Sequence, residues 1–168
     1  CLNHLLKCEI PPNFELKIFI ADSNSPDNTL EIIRNKYPFI EIFNVGDNVF
    51  WNQGMNFAWN QSIQEKKAYN FFLWLNNDTY LYKNSLKIIL DDYKKVSSES
   101  IIVGTTQYNK KLTYGGRKKL SSEIMSPNET PQEVKFINGN CVLIPKIVFE
   151  NIGLLDDKFS HSLGDIDY

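Results

Sequence analysis

Tyr69-Asn70-Phe71-Phe72-Leu73-Trp74-Leu75-Asn76-Asn77-Asp78-Thr79 decides the fold class. Seven strand-sized, mostly apolar residues from Tyr69 to Leu75 run without alternation, as in a strand buried on both faces. Asn76-Asn77-Asp78 then stops the run with turn-forming side chains and sets a carboxylate at the carboxyl end of the strand.

The same plan recurs upstream. Leu16 to Ala21 reads as a strand ending at Asp22-Ser23-Asn24-Ser25-Pro26-Asp27, and Asp27 or Asn28 can cap the helix that follows. That helix carries Leu30, Ile33 and Tyr37 and stops at Pro38, and Ile40 to Phe43 is a second strand. A loop from Asn44 to Asn52 leads to a helix over about 53–66 with Met55, Ala58, Trp59 and Ile63 on its apolar face. Beyond Asp78, Leu86 to Tyr93 is helical and Ile101 to Gly104 is a strand. Residues 105–133 are polar and read as irregular or hairpin structure. Two strand-like segments at 135–137 and 141–144 and a short helix from Ile147 to Ile152 follow. Repeated strand–helix alternation predicts an α/β domain with a doubly wound, mostly parallel, Rossmann-like sheet. Ligands of such sheets collect outside the carboxyl ends of the strands, where both Asp22 and Asp78 fall.

Composition narrows the function classes. The 168 residues are 42% hydrophobic and 23% charged, which suits one globular domain. A net charge of −2 gives no electrostatic case for nucleic acid. One local exception is Lys110, Lys111, Arg117, Lys118 and Lys119, which read either as a solvated loop or as a face toward an anionic ligand or membrane. Cys1, Cys8 and Cys141 have no metal-site spacing and imply no disulfide framework, so a cytoplasmic setting is expected. No apolar run reaches the roughly 20 residues of a membrane helix.

Several side chains could carry chemistry, each beside a plainer reading. Asp78 could hold a hard divalent cation with a diphosphate completing its shell, or could simply belong to a polar turn. Asp22 could accept from a nucleobase N–H, with Ser23 near the ribose, or could cap a helix. Asn48, Trp51, Gly54 and Asn56 lie in a segment rich in amides and aromatics; there Trp51 could stack on a flat ligand face and Gly54 could allow close backbone approach. Asp165 or Asp167 could serve as a general base, or could belong to a solvated acidic end. His161 is close in sequence and is given no role.

Taken in order, these strings resemble the family-two inverting glycosyltransferases, which have a GT-A-type fold and use nucleotide-sugars. Ile18 to Ser25 resembles the nucleoside-binding turn, and Asn48 to Asn56 the loop and helix near the nucleotide. Leu75 to Thr79 resembles the Asp-x-Asp motif in its Asn-Asn-Asp form. Phe136 to Ile144 is similar to the acceptor-side segment, Phe149 to Asp157 to the family's next stretch, and Gly164 to Asp167 to its Glu-Asp-x-Asp motif.

The resemblance implies that Asp22 contacts the base, with Ser23, Asn48, Trp51, Gly54, Asn56, Asn76 and Asn77 around the nucleotide. It implies Asp78 on Mg2+ or Mn2+, Asp165 as the base, and Gly139, Asn140 and Asp167 on the acceptor side. The donor would be UDP- or dTDP-linked and the acceptor a glycan or lipid-linked sugar at the inner membrane face. Asn76 to Thr79 also resembles rhamnosyltransferases of cell-surface polysaccharide synthesis. A nucleotide-binding half would span about 14–105 and an acceptor-side half about 106–168.

Three departures stand out: Asn76 replaces an Asp, Gly164 replaces a Glu, and the family's first strand is absent. The chain therefore reads as a fragment truncated at both ends, with weak or no activity alone and with unpaired edges open to strand exchange in a homodimer. A non-catalytic nucleotide-sugar-binding module and a sugar nucleotidyltransferase are the competing readings.

Overall fold

The computed structural model describes residues 1–120, 123–160 and 163–168. The helices and strands are, in chain order, α1 (Leu2–Leu5), β1 (Phe19–Asp22), α2 (Thr29–Lys36), β2 (Glu41–Asn44), α3 (Trp51–Gln64), β3 (Phe71–Leu75) and α4 (Ser85–Tyr93). They continue with β4 (Ile102–Val103), β5 (Thr106–Tyr108), β6 (Lys111–Tyr114), β7 (Cys141–Pro145), α5 (Lys146–Ile152) and α6 (Gly164–Asp167). Two compact units interleave along the chain, whereas the halves read from sequence run on either side of residue 105. One unit is Cys1–Phe14 with Asn70–Gly153, the other Glu15–Tyr69 with Leu154–Tyr168.

In the Glu15–Tyr69 unit, β1 and β2 pair in parallel from Phe19↔Glu41 to Asp22↔Asn44. Parallel pairing needs a crossover, and α2 supplies it. That helix starts where Asp27 accepts hydrogen bonds from the Thr29 N–H (3.1 Å) and hydroxyl (2.5 Å). α3 packs on β1. Its buried residues are Asn52, Asn56, Ala58, Trp59 and Ser62, while Ile63 is exposed. The apolar stripe expected at Met55, Ala58, Trp59 and Ile63 is therefore rotated, and two asparagines take inward positions.

In the Asn70–Gly153 unit, β7 lies between β3 and β4 and runs antiparallel to both. All five residues of β7 are buried; Val142, opposite Trp74 at 2% exposure, and Ile144, opposite Phe72, are fully so. Each such side chain contributes about 1.5–3 kcal/mol by leaving water. Burial also pushes the Cys141 thiol up to about 12. Pro145 ends the strand, where its missing N–H costs no ladder bond, and opens α5. β5 and β6 form an antiparallel hairpin.

The expected mostly parallel, doubly wound sheet is thus corrected: among the described residues only β1 and β2 pair in parallel, and the other pairings are antiparallel. The reason lies in β7. β3 and β4 both run opposite to it, so they share one direction, as a strand–helix–strand unit demands. A strand from far downstream enters between them and takes the ladder bonds that they would otherwise have exchanged.

Candidate functional site

The carboxyl ends of β1 and β2 are joined by side chains. Asp22 is buried, at 7% exposure, because its carboxylate closes the turn after β1. Its Oδ2 accepts from the Ser25 N–H (3.1 Å) and its Oδ1 from the Ser25 hydroxyl (2.5 Å). Ser23 donates to the Gly46 carbonyl (3.0 Å) and accepts from the Val49 N–H (3.2 Å). The Asn24 amide donates to Asp47 (2.8 Å). These bonds draw the turn after β1 to the loop after β2, where Gly46 and Asn48 adopt left-handed backbone with φ of 83° and 61°. Glycine and asparagine tolerate that conformation best. Asn48 is exposed on this rim, and half-buried Trp51 opens α3 just beyond it. Gly54 faces β1, but a Cβ there would meet Ala21 and Val49 at an ordinary 3.8 Å, so packing alone does not require a glycine.

The first two turns of α3 hold the 154–168 segment. Asn52 donates from Nδ2 to the carbonyls of Asp156 (2.9 Å) and Phe159 (2.7 Å). Asn56, one turn on, donates to the Leu155 carbonyl (2.7 Å) and to Asp157 Oδ1 (2.6 Å). The sequence-based role of Asn56 was at the nucleotide; its amide is engaged here as a tether. Both Oδ1 atoms are buried without a hydrogen-bond partner among the described residues. Such an unmet acceptor costs about 1–3 kcal/mol, set against the bonds made by the same amides.

Gly164, the first residue of α6, lies against Asn52: a Cβ built there would stand 1.9 Å from Asn52 Oδ1. This contact explains the glycine where a glutamate was expected. Asp165 follows it, half-buried, and Asp167 is exposed. Tyr168 packs on Trp59 with ring centroids 5.6 Å apart, and burial raises its phenol. His161 lies outside the described residues. Sequence reasoning placed Asn52, Ser25 and Asp157 inside the quoted strings but gave none of them a role of its own. The available signal was the helical spacing of Asn52 and Asn56, which puts two amides on one face.

In the other unit, Asn76, Asn77, Asp78 and Thr79 form a turn at the end of β3, closed by the Thr79 N–H to the Asn76 carbonyl (3.1 Å). The Asn140 carbonyl accepts from the Asn76 N–H (3.1 Å) and from the Thr79 hydroxyl (3.5 Å). Gly139 and Asn140, both buried, thus sit beside the turn because β7 pairs with β3 up to Leu75↔Cys141. Asn77 and Asp78 are exposed. The Asp78 carboxylate makes no hydrogen bond or ion pair among the described residues, so its lone pairs remain available. Among the described residues no three His, Cys, Asp or Glu side chains group as a metal cage. A lone open carboxylate fits Mg2+ or Mn2+ in one manner, with water and diphosphate oxygens supplying most of the shell.

The chain was also compared with known proteins. It is 27% identical over 158 residues to an uncharacterized glycosyltransferase of Rickettsia typhi, and equally so to one of Rickettsia prowazekii. Each match takes in 87% of this chain and 46% of the relative, so the chain spans about half the length of the curated relatives it matches. No solved structure matches. No helix among the described residues is long and apolar enough to cross a membrane. The family model for glycosyl transferase family 2 matches residues 1–153, a span that holds Asp22, Asp78 and Asn140 and stops before Asp165. With that match over most of its length, the chain belongs to glycosyl transferase family 2.

Proposed function

We propose that this protein transfers a sugar from a UDP- or dTDP-linked donor to a hydroxyl of a glycan or lipid-linked acceptor, with inversion, on a GT-A-type architecture. The observation that carries this reading is the exposed, unpartnered Asp78 carboxylate at the carboxyl end of β3, within a chain of this family. Asp22 keeps lone pairs beyond those engaged by Ser25, and one can accept from a nucleobase N–H. Ser23, Asn48 and Trp51 lie on the rim of the same strand ends and are assigned to the nucleoside. Asn76 and Asn77 are assigned to the diphosphate, next to the Asp78 cation.

Asp165 takes the proton from the acceptor hydroxyl. The acceptor oxygen bonds to the anomeric carbon as the bond from that carbon to the diphosphate oxygen breaks on the opposite face. A divalent cation at Asp78 would neutralise charge gathering on the departing diphosphate. Gly139, Asn140 and Asp167 are assigned to the acceptor. Rhamnose is the proposed sugar and cell-surface polysaccharide the proposed product, from the resemblance of Asn76 to Thr79 alone.

Calorimetric titration with UDP and dTDP, with and without Mn2+, tests the reading. One nucleotide is expected to bind in a metal-dependent manner, and Asp78→Ala to weaken that binding at least about tenfold, the equivalent of roughly 1.4 kcal/mol. Binding that ignores both metal and substitution would remove Asp78 from the site.

A further inference from the structure

Residues 105–120 hold five of the chain's 18 Lys and Arg and none of its 20 Asp and Glu. The carboxylates that follow next, Glu123, Glu129 and Glu133, belong to the succeeding loop. The segment folds as the β5–β6 hairpin and continues to Arg117, whose backbone bridges to Phe136. That bridge brings in one more cation, because the N–H of exposed Lys135 donates to the Arg117 carbonyl (2.9 Å).

Among the described residues, eight lysines elsewhere form ion pairs with carboxylates. Lys110, Lys111 and Lys118 form none among the described residues, and all three are exposed. The tip is also unusual for a hairpin. Asn109 and Lys110 both take left-handed backbone, with φ of 49° and 64°. A two-residue turn of this kind favours Asn-Gly, so a lysine at the second place bears a conformational cost that glycine would avoid.

Aromatic and apolar groups accompany the cations. Tyr108 is 72% exposed, Tyr114 45% and Leu120 55%. Tyr82, 68% exposed, accepts from the Gln107 amide (3.1 Å) on the ribbon face opposite Tyr108 and Lys111. Tyrosine rings favour the headgroup level of a bilayer, and lysine stems lie along apolar surface while their ammonium groups stay wet. A two-stranded ribbon presents an open face that can lie against a charged plane.

We propose that this hairpin face docks the protein on a bilayer of anionic phospholipids, through its lysines at the headgroups and its tyrosines at the interface. The inference is independent of the transferase reading, since it uses none of the residues assigned to donor or acceptor.

Co-sedimentation tests it, with vesicles of phosphatidylcholine alone and of phosphatidylcholine and phosphatidylglycerol in equal parts. The chain is expected to pellet only with the anionic vesicles and to be released by salt. One cation near such a surface is worth roughly fivefold in binding, so Lys110→Glu/Lys111→Glu should weaken it by at least about tenfold. Lys36→Glu/Lys66→Glu changes net charge equally on the other unit and should leave binding near wild type. All of these lysines are exposed, and unchanged melting temperatures would verify folding.

Pelleting with neutral vesicles to the same extent would overturn the proposal, as would no pelleting at all. Equal loss in both double variants would reduce the effect to net charge and overturn the assigned face. Binding to a soluble anionic polysaccharide in place of vesicles would assign the face to a glycan and overturn it as well.

Discussion

Asp22 and Asp78 both follow an apolar strand, yet their surroundings differ completely. Asp22 is buried, with each carboxylate oxygen accepting a bond from Ser25. Asp78 stands in solvent at a turn closed by backbone groups and makes no side-chain bond among the described residues. One carboxylate holds the chain together and has lone pairs to spare; the other contributes nothing to the turn and is wholly available. A strand-end aspartate is therefore not a single kind of site.

The sharpest way to break this comparison is to remove each carboxylate. Asp22→Ala should destabilise the protein by about 3 kcal/mol, since it removes the buried carboxylate that accepts both Ser25 bonds. Asp78→Ala should stay within about 0.5 kcal/mol of wild type. Urea unfolding measures both, and equal losses would erase the distinction.

A smaller effect is expected at Gly164, where a side chain meets Asn52. Gly164→Ala should cost roughly 1–3 kcal/mol through overpacking. Adding Asn52→Ala should relieve the clash, so the double variant should be less unstable than the sum of the two single ones. Additive losses in thermal melts would mean that the two residues do not touch.

A third aspartate refines the comparison at the smallest scale. Asp91 is half-buried but paired like Asp22, and Lys87 and Lys94 hold its carboxyl down at about 2. A carboxyl lowered on folding stabilises above its ordinary pKa, near 4, and loses that contribution as pH falls toward 2. Circular dichroism melts of Asp91→Asn should show a slight deficit at neutral pH that vanishes by about pH 2. A deficit that persists in acid would place its origin elsewhere.

Much of the local structure was legible. The apolar run before Asn76 became β3, the turn at Asp22 closed β1, and the helix before Pro38 ended where proline requires. The hairpin at 105–114 was one of two options left open for a polar segment. The inward face of α3 was misread, because Ile63 is apolar yet exposed and Asn52 and Asn56 are polar yet buried. Periodicity scores a helix by its apolar residues, so amides that bury themselves by bonding to a distant backbone register as surface.

By itself the sequence determined the strand–helix alternation, the placing of carboxylates at strand ends, and the strings that mark the family. Those signals are read over a few neighbouring residues, where dihedral preferences and side-chain spacing act. Tertiary structure alone decided that β7 enters between β3 and β4, that Asn52 holds the carbonyl of Phe159, and that Gly164 has no room for a side chain. Each of these joins residues from well-separated parts of the chain. Such contacts depend on which surfaces meet once apolar groups leave water, and no short stretch of sequence carries that information.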